Sequence, residues 1–206
     1  MQSHFWRPLV AIASVLVWSS AAVAQGSSLS PASGTTGNVT PDNTKSTTGG
    51  GGVSAGTSRP AHSDSKFMED AAHAGHAEIE ASKLAQQKSQ NADVKSFAER
   101  MIQDHGKVGS ELDALAARKG VTTPKDASTA QKSEIKALSA LSGAKFDKMY
   151  ASRIGVAAHE SAVKTFREAS NTAKDADVKA FAARHLPDLE GHLQMARDLK
   201  KKVGDD

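Results

Sequence analysis

Six polar residues of this chain sit where helical periodicity asks for apolar ones: Glu78, His105, His159, His185, Asp188 and His192. They lie on four segments whose seams advance by alternating steps of three and four residues. The seams are Phe67, Ala71, Ala74, Glu78, Ala81, Ala85, then Val94, Ala98, Met101, His105, Val108, Leu112, Leu115. The third is Met149, Ser152, Val156, His159, Val163, Phe166, and the fourth Val178, Phe181, His185, Asp188, His192, Met195, Leu199. Imidazole and carboxylate groups brought together in a core need either mutual hydrogen bonds or a metal ion, because buried charge without a partner is expensive.

Their heights coincide. Glu78 lies thirteen residues before Asn91 and His105 fourteen after it, while His159 lies fifteen before Lys174 and Asp188 fourteen after it. At about 1.5 Å per helical residue these positions share a level about 20 Å from the turns. Glu78, His105, His159, Asp188 and His192 are therefore candidate ligands for one transition-metal ion. The donor set suits Zn, Cu or Fe, whereas Ca or Mg would want more oxygens. The alternative is a closed hydrogen-bond network of the same groups. His185 ranks below His192, being about a turn nearer the tip of its hairpin.

The elements that must position this layer are legible in a repeat. ADVKSFAERMIQDH, from Ala92, and ADVKAFAARHLPDL, from Ala176, agree at eight of fourteen positions. Each opens the second helix of a helical hairpin. Asn91 and Asp175 or Asp177 supply helix-start residues, Gly120 ends the second helix, and Gly143 follows a short helix of about Thr129 to Leu141. The expected fold is all-α: a four-helix bundle of two repeated hairpins, with a short extra helix in the link. A crossover link and an up-down link are both open.

Residues 1–24 read as a signal peptide, with basic Arg7, an apolar run from Leu9 to Trp18, and Ala22-Val23-Ala24 before an expected cleavage site. The run is too short for a spanning helix of about 20 residues. Residues 25–65, rich in Gly, Ser and Thr, read as a disordered tether, and 66–206 as the bundle. The expected location is periplasmic or secreted. Cysteine is absent, which removes disulfides, thiolate ligands and cysteine nucleophiles. A formal charge of +3, of which Arg7 is part, gives no case for nucleic acid.

No phosphate loop, dinucleotide fingerprint or serine-nucleophile elbow occurs, and no catalytic residues are assigned. A dinuclear iron oxidase would need Glu-x-x-His on two helices. Ile102 and Leu189 stand three before His105 and His192 instead. Asp188 and His192 share a helical face, and Pro187 beside them removes a backbone donor. His73, His76 and Glu80 form a second polar group off the seam, read as a chance surface grouping.

FMEDAAHAGHAEIEASKLA, VKSFAERMIQDH, FDKMYASRIGVAAHE and VKAFAARHLPDLEGHL together resemble the bacterial domain of unknown function family 4142. The resemblance covers Phe67 to about Leu199. It implies an exported, ferritin-like domain without a settled biochemical role, and carries Glu78, Asp104, His105, Tyr150, His159, Pro187 and His192 as its motif positions. His185 is outside that pattern. Two functional expectations follow: a metal-handling or envelope-stress protein that binds an ion in the mid-bundle layer, or a non-enzymatic interaction module for an envelope protein partner, with the layer as a hydrogen-bonded network.

Overall fold

The computed structural model describes residues 59–204. The expected signal peptide, and the tether up to residue 58, lie outside the described residues. Every regular element among the described residues is helical: α1 (His62–Lys88), α2 (Ala92–Arg118), α3 (Thr129–Ser139), α4 (Gly143–Met149), α5 (Ala158–Thr172) and α6 (Ala176–Gly204), with a π-helical stretch, Tyr150–Ala157, joining α4 to α5. Helix α1 starts four residues inside the span expected to be tether. None of the helices is long and apolar enough to cross a membrane.

The starts of the two repeated helices use one device. The Asn91 carboxamide oxygen accepts from the backbone N–H groups of Asp93 and Val94, and the Asp175 carboxylate accepts from Asp177 and Val178. Each side chain thereby satisfies donors that the first helical turn leaves free. A reciprocal box of Ser128 and Gln131 opens α3. Gly120, with φ of 65°, closes α2, its amide and that of Val121 donating to the carbonyls of Ala117 and Ala116.

Helix α1 packs along α2 and α5 along α6, while α2 meets α6 and α1 meets α5. The direction of each helix follows from contacts at its ends. Asp64, near the start of α1, accepts hydrogen bonds from the amides of Lys174 and Asp175 in the α5–α6 turn. At the opposite end, Lys202 of α6 pairs with Asp93 at the start of α2. The link between α2 and α5 runs beside α1: His73 and His76 donate to the carbonyls of Asp126 and Pro124, and Lys88 donates to Ser139 at the end of α3. It returns along the length of α1 before α4 begins.

The apolar interior falls into two clusters. One gathers Ala81, Val94, Phe97, Met101, Phe146 and Tyr150, the other Phe67, Leu112, Phe166, Phe181, Leu189 and Leu193. Glu78, His105, His159 and His192 belong to neither, and all four are buried.

Two expected seams are corrected. Met149 and Met195 are 43% and 39% exposed, and Ser152 is only partly covered. In the π-helical stretch a wider turn carries an extra residue. The buried positions before His159 are consequently Tyr150, Ala151, Ile154 and Gly155. On α6 the step beyond His185 is four rather than three, which buries Leu189 and Ala196 and turns Asp188 and Met195 outward. Helix α6 continues through Pro187.

Candidate metal centre

Each long helix contributes one side chain to the cluster: Glu78 from α1, His105 from α2, His159 from α5 and His192 from α6. The three imidazole rings stand at the corners of a nearly equilateral triangle, with centroids 5.4, 5.5 and 5.6 Å apart. One ring nitrogen from each lies within 4.8 Å of the others. Ligands about 2.1 Å from one ion in a tetrahedral site stand about 3.4 Å apart, so the widest pair of the triad would close by up to about 1.4 Å. Glu78 Oε2 is 2.5 Å from His105 Nε2 and 3.3 Å from His159 Nε2.

The outer nitrogens decide which inner ones are free. His159 Nδ1 donates to the Gly155 carbonyl at 2.7 Å, with the Ile154 carbonyl at 3.3 Å. His192 Nε2 donates to Asp104 Oδ2 at 2.9 Å. These bonds fix the tautomers and leave His159 Nε2 and His192 Nδ1 as lone pairs, the form in which imidazole ligates a metal. The carbonyls that hold His159 come from the π-helical stretch, which gives that irregularity a positional consequence.

Four buried atoms in this layer have no hydrogen-bond partner: Glu78 Oε2, His105 Nε2, His159 Nε2 and His192 Nδ1. Glu78 and His105 nevertheless touch at 2.5 Å, an ion pair when His105 carries a proton. At about 1–3 kcal/mol for each unsatisfied buried group, the open nitrogens of His159 and His192 alone weigh against a domain stability of about 5–15 kcal/mol. A cation among them would satisfy all four at once. These residues therefore fit a metal ion.

The charges of the layer depend on one another. Burial would raise the Glu78 carboxyl, but the imidazoles of His105 and then His159 outweigh it and hold Glu78 at about 2. For His105, burial lowers the proton affinity and the Glu78 carboxylate more than restores it, leaving it above the ordinary histidine value. Burial holds His192 below that value despite Asp104. Tyr150, raised by burial, pairs its hydroxyl with Ser82 at 2.8 Å, and Phe97 lies edge-on to both Tyr150 and His159.

Of the five expected ligands, Glu78, His105, His159 and His192 converge. Asp188 does not: it is exposed on α6, because the seam passes through Leu189. The carboxylate that touches His192 is Asp104, which also pairs with Arg100. His185 is buried away from the triad, 3.1 Å from Glu111 and against the Phe181 ring. The pairing with Glu111 was missed, though its position on the α2 face toward α6 was a usable signal. His73 and His76 spend ring nitrogens on carbonyls of the link.

Fold and site together define an all-helical protein with a buried cluster of three histidines and a carboxylate. The model of the family described as "Domain of unknown function (DUF4142)" matches residues 52–199, and the chain belongs to that family. Among solved structures, the chain is similar to the crystal structure of a DUF305 fragment from Deinococcus radiodurans, at 15% identity and a TM-score of 0.61. The match covers 72% of this chain and 100% of the fragment, and it speaks for the fold alone. Comparison with curated proteins gives no match.

Proposed function

We propose that the domain binds one transition-metal ion, Zn, Cu or Fe, through Glu78, His105, His159 and His192, and serves metal handling in the cell envelope. The observation that carries the reading is the convergence of four unpartnered buried atoms, one from each long helix. Three imidazoles with one carboxylate suit a borderline metal. The helix directions and the link beside α1 support a ferritin-like arrangement of two hairpins with a crossover. Because Ile102 and Leu189 replace the Glu of Glu-x-x-His, the centre is mononuclear rather than an oxygen-activating pair. The envelope location rests on residues 1–24 as an export signal, with the Gly/Ser/Thr-rich tether spacing the domain from a surface or partner.

Metal analysis of untagged protein tests the reading. The expected result is bound metal, or a rise in melting temperature on adding Zn, Cu or Fe. Less than about a tenth of an equivalent, with no melting shift at saturating ion, overturns it.

The short Glu78–His105 contact favours one second reading, a buried ion pair that fixes helix register in an interaction module for an envelope partner. It expects His105→Leu and His159→Leu to leave the fold intact or more stable, with no metal content to lose.

A further inference from the structure

Between α1 and α2 a cavity of about 170 Å³ reaches the cluster, with Glu78 and His105 among the residues that line it. Most of the rest of its lining is small or apolar, including Ala71, Gly75, Val108 and Gly109; His76, Ser110 and Asp113 also line it, the last paired with Lys125. A Cβ added at Gly75, Gly106 or Gly109 would meet nothing within 4 Å. Glycine is a poor choice within a helix, so three beside one cavity are not explained by helix formation. The unpartnered Oε2 belongs to Glu78, which is only 3% exposed. His159 and His192 do not line the cavity, so protein surrounds the centre on their side and space adjoins it on the Glu78–His105 side.

We infer that this cavity is the site of a small exogenous ligand to the metal, an anion of a few heavy atoms that takes an open coordination position beside Glu78 and His105. The inference rests on the metal reading and gives it a kind: a centre that expands to take a fifth ligand rather than a closed four-coordinate one. A divalent ion held by neutral imidazoles and one carboxylate keeps a positive charge, and an anion would neutralise it where burial penalises charge. The volume exceeds what a single water needs and suits an azide-sized molecule. A larger cavity of about 460 Å³ on the other side of α1 also touches Glu78, but it contains no imidazole of the triad and is lined by Asp70, Glu134 and Arg153.

The test uses untagged protein loaded with Co(II), whose visible absorption reports its ligands, and sodium azide as the probe. Azide is expected to change the spectrum of the wild type. Gly75→Leu and Gly109→Leu, each a better helix former, should bind Co(II) with the wild-type stoichiometry and spectrum and lose the azide response. Gly75→Ala and Gly109→Ala should keep it. Bound Co(II) that ignores azide overturns the inference and leaves the metal reading standing. An equal response in both leucine variants also overturns it, because the ligand then reaches the ion elsewhere. Failure of the wild type to bind Co(II), Zn, Cu or Fe overturns both readings.

Discussion

Asp104 and His192, on α2 and α6, meet at 2.9 Å between Oδ2 and Nε2. This bond turns Nδ1 of His192 toward the other two imidazoles. A carboxylate in this position orients the ring and raises its basicity as a ligand. Asp104→Asn should weaken metal binding by about 10–100-fold with helicity unchanged. Asp188→Ala, on the outward face of α6, should bind as the wild type does. Competition titrations against a chromogenic chelator check both.

The three histidines on the α2 and α6 faces should titrate in a definite order. His105 is raised above the ordinary value of 6.5, and His185 and His192 are lowered below it. His105 therefore favours the folded metal-free state fully below 6.5, and that contribution is lost as pH rises through its folded value. His185 and His192 are disfavoured as cations in the fold and oppose it as pH falls below 6.5. Imidazole NMR titration of metal-free protein should show His105 holding its proton to a higher pH than His192. A metal must displace that proton, so affinity should climb with pH above 6.5.

Asp64 ties the start of α1 to the far turn by accepting from two backbone amides, and it is 2% exposed. Asp64→Ala would strand those donors. The expected loss is about 2–3 kcal/mol, in the range for hydrogen bonds to a charged group. Urea denaturation should show the lower midpoint, while metal stoichiometry in the folded protein stays the same.

Gly155 faces Ala196 so closely that an added Cβ would come within 3.2 Å of the Ala196 Cβ. That atom is fixed to the α6 backbone and has no rotamer to adopt. Gly155→Ala should cost about 1–3 kcal/mol by overpacking, partly offset by about 1 kcal/mol of helix propensity. Because the Gly155 carbonyl holds His159, metal affinity should fall too. Ala196→Gly in the same chain should restore both, as a thermal melt and a metal titration would show.

Much of this was legible from local signals. Asn91, Asp175 and Gly120 fix helix ends by their own hydrogen bonding or backbone freedom, and Glu78 and His105 share a level because each counts from the same turn. Asp188 went astray because steps of three and four residues are both helical. Leu189, the apolar choice one residue on, was the signal that separated them. The π-helical turn has no periodic signature, since one extra residue in a wider turn is not announced by steps of three and four. Asp104 was marked only by resemblance: its place beside the seam does not reveal that His192 reaches across to it.

The polar layer lies between two apolar clusters, and this shapes how the molecule would open. The two clusters share no buried member, as separate units of local unfolding would require. An ion held by all four long helices would join those units, so that neither end could melt without releasing it. Occupancy would then be read along the entire length of the helices as slowed amide exchange, far from the atoms that touch the metal.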